Sequence, residues 1–338
     1  MVDDDNIRTS GSIGDELSLQ TENLAFQSGD MTVCESCGRT NPPNRLNCLY
    51  CARELKVGLQ RPDLIRPNLR KLENWEPGFN VIVHPTADAN RLDFAKIARA
   101  VGLEIAEVEE IFGTKRPMPI ARVGSEADAQ IVVNLLKLSF VTGSITSDES
   151  FMLDRLPIRL RTMEIEDMAL TLVDFNTGIR TKILREDLSL IVSGTISESK
   201  TDQLEKKQRR GGAKILDEIA TASDESVLDI YDYSDRVGFR IMLKGFDFSC
   251  LGDRKGMLAV ENMRRLVAVL HDFAPDARLV TDYGAVRHAL SATWEVERRK
   301  DSQGLKRGGL GKITFGNTVS SSNLRQFNKF SRLQWHLL

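Results

Sequence analysis

The chain has 338 residues, enough for two or three domains at about 150 residues each. Hydrophobic residues make up 41% and charged residues 28%, and the formal net charge of −2 excludes a global pull toward nucleic acid or acidic membrane. Aromatics at 6% argue against an aromatic-lined platform for single strands, and no apolar run approaches the ~20 residues of a membrane helix.

Residues 1–30 are polar, with seven Asp/Glu against Arg8 and no apolar period, so they read as a disordered acidic leader. They carry no signal-peptide pattern, and the expected location is cytoplasmic. Residues 31–56 hold two Cys-x-x-Cys pairs, Cys34/Cys37 and Cys48/Cys51, separated by ten residues. Four soft thiolates so spaced suit a tetrahedral site, with each pair wrapping one side of a single ion. Gly38 supplies the positive φ that a tight turn after the first pair requires, and Pro42-Pro43 breaks any helix between the pairs. The expectation is one structural Zn²⁺ per chain on Cys34, Cys37, Cys48 and Cys51. Two disulfides, an iron site and ordinary buried thiols are the alternatives.

The run Cys34-Glu-Ser-Cys37-Gly38 … Asn47-Cys48-Leu-Tyr-Cys51 resembles the short zinc ribbons common at the ends of bacterial proteins. The same Cys-x2-Cys-x3-Asn-x6-Cys-x2-Cys spacing is similar to Ran-binding-protein-type fingers, some of which bind single-stranded RNA. Those carry a Trp two residues before the first Cys; here Thr32 stands there, and the stacking platform is lost.

Residues 57–77, with Pro62, Pro67 and Pro77, read as an extended linker or an arm lying on a neighbour. Residues 78–150 alternate strand and helix patterns as βααβαβ: a strand at Phe79–Val83, helices stopped at Gly102 and Gly113, a strand at 119–123, a helix capped by Ser125 and a strand from Val141 to Thr146. That α+β order is similar to the C-terminal domain of the ribosomal stalk protein and to the Clp protease adaptor, which implies partner binding without catalysis.

Residues 156–338 change character. Short alternating strands at 158–161, 169–173, 179–184, 188–196, 227–231 and 239–243 precede a helix marked by Leu258, Met263, Leu266, Leu270 and Phe273. A hairpin turn is expected at Phe175-Asn176-Thr177-Gly178. The mainly β pattern with C-terminal helices resembles a pleckstrin-homology-like barrel plugged by its helix. Runs around Asp247–Gly252 and Ser322–Leu333 resemble zinc-ribbon proteins of unknown function from environmental bacteria. The charged insert Glu198–Glu225, with Lys206, Lys207, Arg209 and Arg210, reads as a long solvated surface loop. After a second helical pattern (Val286, Ala289, Leu290, Trp294), the tail from Arg298 carries nine Lys/Arg against Asp301. Phe327, Phe330, Leu333 and Trp335 are too apolar for a free arm, so the tail is expected to dock back.

Other constellations carry less. His84, His271, His288 and His336 are scattered without a metal-ligand spacing. Gly308-Gly309-Leu310-Gly311-Lys312 lacks the upstream Gly and the Ser/Thr of a phosphate loop. Asp229, Asp232 and Asp235 read as exposed acids of a hairpin, and Cys250 as a small core residue. The composite expectation is a multidomain, non-enzymatic cytoplasmic scaffold or adaptor that binds protein partners, with no catalytic residues and no membrane association. The alternative is a nucleic-acid- or ribosome-associated zinc-ribbon protein using Arg39, Arg45, Arg53 and the basic tail.

Overall fold

The structure is a computed structural model that describes residues 31–43, 45, 48–53, 55, 66–85, 92–207, 213–234, 237–302 and 313–338 (backbone alone for 203–207, 213–218, 301–302 and 313–317). The acidic leader 1–30, the first part of the linker (57–65), Gln208–Gly212, Asp235 and the Gly-rich run 308–312 lie outside the described residues. The chain divides into two compact units, Met1–Ile65 and Arg66–Leu338.

The first unit contains two short strands, β1 (Thr32–Val33) and β2 (Thr40–Asn41), paired antiparallel with Thr32 opposite Asn41.

The second unit begins with an extended arm, 66–77, pinned from below by one guanidinium. Arg122 donates to the backbone carbonyls of Leu72, Glu73 and Glu76. This part of the expected linker therefore lies on its neighbour. Then follow β3 (Phe79–Val83), α1 (Phe94–Val101), α2 (Ile105–Gly113), β4 (Met118–Val123), α3 (Glu126–Lys137) and β5 (Gly143–Ser147). The strands form an antiparallel sheet in the order β4-β3-β5. Local chemistry sets the helix ends. The Asp93 carboxylate accepts from the Lys96 amide, Gly102 closes α1 at φ 72°, and the Ser125 hydroxyl accepts from the Asp128 amide.

The remaining strands are β6 (Ile158–Ile165), β7 (Ala169–Asp174), β8 (Arg180–Leu184), β9 (Leu188–Lys207), β10 (Ala213–Asp232), β11 (Phe239–Met242), β12 (Arg278–Val280), β13 (Glu297–Ser302) and β14 (Ile313–Ser322). Helices α4 (Ala259–Phe273), α5 (Tyr283–Ser291) and α6 (Leu324–His336) complete the unit. The β7–β8 turn has Gly178 at φ 72°, where that turn needs a residue without Cβ.

Two expectations are corrected here. The sheet is not a closed barrel: its order is β13-β14-β9-β10-β11-β6-β7-β8, and the end strands β13 and β8 do not pair among the described residues. The insert is not a loop either. Glu198–Lys207 and Ala213–Glu225 are the outer halves of β9 and β10, paired along their length with one irregularity at Leu216. These facts share a cause. Strands of 20 residues run past the body of the sheet, and the outer half of β9 takes β14 on its other edge. The inner part of that same edge is taken by β12, in parallel. The edge along which a barrel could close is already used.

The inner halves of β9 and β10 separate two cores. Leu190, Val192, Val227 and Tyr231 face a core shared with β3, β4, α3, α5 and α6. Ile191, Leu228 and Ile230, one residue out of phase, face Met263, Leu266 and Leu270 of α4. Residues 78–150 and 156–338 thus pack together into one unit; whether each folds alone is a separate property. Helix α6 lies in the first core with Phe327, Phe330 and Leu333 buried. Among the described residues, no helix is long and apolar enough to cross a membrane.

Candidate metal centre

Each Cys-x-x-Cys pair folds into the same backbone turn. The Cys34 carbonyl accepts from Gly38 N–H at 2.8 Å, and the Cys48 carbonyl accepts from Ala52 N–H at 2.9 Å. The Cys34 amide donates to the Arg39 carbonyl (2.9 Å), and the Cys48 amide to the Arg53 carbonyl (2.7 Å). The two turns are therefore local copies, with Gly38 (φ 69°) and Ala52 (φ 57°) at equivalent left-handed positions.

The copies face each other crosswise. Cys34 Sγ lies 3.6 Å from Cys51 Sγ, and Cys37 Sγ lies 3.5 Å from Cys48 Sγ. All four sulfurs fall within 4.8 Å of one another, and none is in a disulfide. A tetrahedron with metal–sulfur bonds of about 2.3 Å has sulfur–sulfur edges of about 3.8 Å. The cross-turn distances sit close to that edge and far beyond the ~2.05 Å of a disulfide. The sulfurs also have amide donors around them. Tyr50 N–H approaches Cys48 Sγ at 3.4 Å, and the Asn41 side-chain amide does so at 3.5 Å. Burial pushes the Cys48 thiol up, but N–H donation from Tyr50, Cys51 and Asn41 and the Cys37 contact outweigh it and bring the thiol down to about 6. At Cys37 the Arg39 N–H pulls the thiol down, but burial and the other three sulfurs outweigh it and push the thiol up to about 12. Donors aimed at sulfur are what a thiolate ligand needs from its surroundings.

Asn41 stands in the Cys-x2-Cys-x3-Asn spacing, but the spacing assigned it no role. Its side chain is fully buried, donates to the Arg39 carbonyl (2.9 Å) and to Cys48 Sγ, and accepts from Leu49 N–H at 2.8 Å. It thereby ties one turn to the other. The available signal was the Asn of the Cys-x2-Cys-x3-Asn-x6-Cys-x2-Cys spacing, one of three Asn between the pairs and the one directly before Pro42. The surface of the turns is partly apolar: Val33, Leu49 and Tyr50 are 60%, 53% and 56% exposed. The Arg39 guanidinium lies 4.6 Å from the Tyr50 ring centroid.

Among the described residues, no other group of three or more His, Cys, Asp or Glu ligand atoms converges. His84 meets Ser144, His288 meets Glu110, and His336 meets the Ser150 carbonyl, far apart along the chain. Cys250 is half-buried in a 3-10 turn (Phe248–Arg254) against the α4 core, where burial pushes its thiol up to about 11.

Asp229 does not fit the expectation of exposed acids. It is 1% exposed and forms a two-point ion pair with Arg240, at 2.7 and 2.8 Å. The Ser331 hydroxyl of α6 donates to it at 2.8 Å. The three-residue recurrence misled because a strand alternates every second residue, which turns Asp229 and Asp232 to different faces. A second buried cluster joins α6 to the βααβαβ segment. Lys329 Nζ contacts Asp148 at 2.8 Å, Arg122 pairs with the same carboxylate at 2.6 Å, and Asn80 donates to it at 3.0 Å. A cavity of about 310 Å³ beside this cluster is lined by Leu69, Val101, Trp294, Arg325 and Lys329 among others. The Asp229–Arg240 pair is matched one to one, and the Asp148 carboxylate is shared by Lys329 and by Arg122, whose guanidinium also donates to the carbonyls of the arm, so both clusters read as fasteners.

Comparison with protein-family models, with curated proteins and with solved structures found no match to this chain.

Proposed function

We propose that the protein is a non-enzymatic scaffold or adaptor whose N-terminal ribbon is held by one Zn²⁺ on Cys34, Cys37, Cys48 and Cys51 and docks on a protein partner. The observation that carries the proposal is the pairing of a four-sulfur cluster with an apolar outer surface at Val33, Leu49 and Tyr50. Four thiolates complete the coordination of zinc and leave no position for a substrate or water, so the metal's work is structural. Free thiols of this kind persist in a reducing compartment, in keeping with a cytoplasmic location. Small modules of this size lack the apolar interior to fold alone, and a metal supplies the missing cohesion.

Elemental analysis should find about one zinc per chain, the stoichiometry of a four-thiolate site. Cys37→Ser should abolish it, and an ordered ribbon in metal-free protein would sink the zinc assignment. For docking, Leu49→Asp combined with Tyr50→Ala should keep the zinc yet lose proteins that co-purify with wild type. Retention of those partners would rule out the ribbon as the docking surface.

The second reading, nucleic-acid or ribosome association, is favoured by Arg39 over Tyr50, with Arg45 and Arg53 on the same module. It predicts a gel shift that weakens steeply as salt rises. A shift insensitive to salt, or none, leaves the protein-docking reading in place.

A further inference from the structure

The outer half of β10 has one edge without a partner. Its inner edge pairs with β9 from Ala213 to Asp232. On the outer edge β11 covers Val227–Ile230, and the Ser226 carbonyl accepts from Leu243 N–H. From Ala213 to Asp224, no strand and no backbone–backbone hydrogen bond meets that edge among the described residues; at Glu225 the carboxylate already accepts from Lys244 N–H at 2.8 Å. The neighbouring strand β9 is treated differently, because β14 runs along it from Lys206 to Glu198. A long open edge is a template for another strand, and proteins normally blunt it with Pro, Lys or extreme shortness. This edge is long, contains no Pro and carries one Lys.

We infer that the edge Ala213–Glu225 pairs antiparallel with the same edge of a second copy, joining two molecules in one continuous sheet about a two-fold axis at Ile219. The sequence of the edge is complementary to itself in this arrangement. With the two edges fully overlapped, Ile219 stands opposite its own copy. Glu218 stands opposite Ala220, and Asp217 opposite Thr221. Lys214 stands opposite Asp224 where the strand runs regularly, and opposite Ser223, next to Asp224, where Leu216 is left out of the pairing as it is against β9. No acid stands opposite an acid. Moving the axis one residue, to Glu218, would set two acids face to face, a destabilising cross-strand pair. Ile219 is 47% exposed, so its burial on the axis removes apolar surface from water. An isologous contact of this kind closes at two copies.

The edge also carries more acids than Lys, so two copies repel at a distance while their registers match in contact. Association should therefore strengthen as salt rises from low to physiological strength, the opposite of a contact held by ion pairs alone. The inference concerns a surface other than the ribbon, and the Leu49 and Tyr50 substitutions leave it untouched.

The test is the mass of the full-length, zinc-loaded chain in solution by light scattering and sedimentation, from micromolar to sub-millimolar concentration. Two chains per particle is the expected result, rising in proportion with salt. Ile219→Val should keep the dimer and Ile219→Asp should abolish it, with unchanged circular dichroism showing that both remain folded. Ile219→Cys should give a disulfide-linked dimer under mild oxidation, whereas Thr181→Cys on the exposed strand β8 should not. A monomer at all concentrations overturns the inference. So does a dimer that survives Ile219→Asp, which would mean another surface. Open-ended polymers would instead indicate pairing between the β10 edge of one copy and the β13 edge of the next, and would overturn it equally.

Discussion

Gly38 and Ala52 occupy the same place in two copies of one turn, yet only one of them is glycine. Left-handed backbone costs a residue with Cβ roughly 1–2 kcal/mol. No atom lies within 4 Å of where a Gly38 Cβ would sit, so backbone conformation alone sets the cost there. Gly38→Ala should destabilise the metal-loaded ribbon by about that 1–2 kcal/mol. Ala52→Gly should stabilise it by less, up to about 1 kcal/mol, because glycine also loosens the unfolded chain. Chelator competition on the two variants and wild type reads both signs. Asp229 poses the opposite problem, a charge that folding has placed in the core. Removing it by Asp229→Ala leaves Arg240 buried and unmatched, which typically costs about 3–5 kcal/mol. Urea unfolding should show a loss of unfolding free energy of that order; a change under about 1 kcal/mol would mean the pair is solvated, as surface pairs are.

Helix α6 has apolar residues at Phe327, Phe330 and Leu333, but it also buries Gln326, Lys329, Ser331, Arg332 and Gln334. Each polar group has a partner fixed by another element. Gln326 accepts from Tyr283 and donates to the Trp294 carbonyl, and Arg332 donates to the carbonyls of Phe151 and Arg155. Strand β9 accommodates the helix at Gly194, where a Cβ would stand 2.5 Å from the Phe327 ring. Phe327→Ala should cost about 3–5 kcal/mol, as large-to-small changes in a filled core do. The Lys329–Asp148 contact makes the same helix sensitive to acid. Burial would raise the Asp148 carboxyl, but Lys329, Asn80 and Arg122 outweigh it and hold it below the usual carboxylate range. Its folded pKa thus lies below the unfolded value of about 3.9. The stabilisation is complete above that value and is lost as pH falls through the folded pKa. Asp148→Asn should therefore be less stable than wild type near neutrality and should lose less on acidification. An identical acid limb in urea titrations would show that Asp148 is not a source of it.

At the scale of the molecule, α6 makes the final residues part of the interior of the second unit. Truncation before Ser320 removes Phe327, Phe330 and Leu333 from the first core, each contributing roughly 1.5–3 kcal/mol. Loss of all three is of the order of a domain's whole stability. The truncated chain should aggregate or melt far below the intact protein; an unchanged melting temperature would make the tail a free binding arm. The same packing bears on the segment 78–150. Trp294 donates to Asn80 at 2.7 Å, and Thr293 donates to the Pro119 carbonyl at 3.2 Å. A fragment spanning 78–150 should exchange its amide hydrogens markedly faster than the same residues do within 66–338. Equal protection would establish it as a self-sufficient folding unit.

The sequence by itself determined the four-cysteine cluster and most local elements. Two Cys-x-x-Cys pairs with Gly38 between them need only a short loop to converge, so contacts of short sequence separation decide that site. The stop at Gly102, the cap at Ser125 and the apolar runs of β3 and β7 are likewise local, and they are legible for that reason. Tertiary structure decided what local patterns leave open. The outer halves of β9 and β10 carry Leu204, Ile215, Leu216 and Ile219 without a regular apolar alternation, so no two-residue period marked them as strand, and pairing with each other and with β14 made them so. Asp229 read as an exposed acid, and nothing local marked Lys329 and Arg332 for burial, because their partners, Arg240, Asp148 and the Phe151 carbonyl, are brought in from elsewhere in the fold. The open sheet followed from the same long strands, since an edge occupied by β12 and β14 cannot also close a barrel.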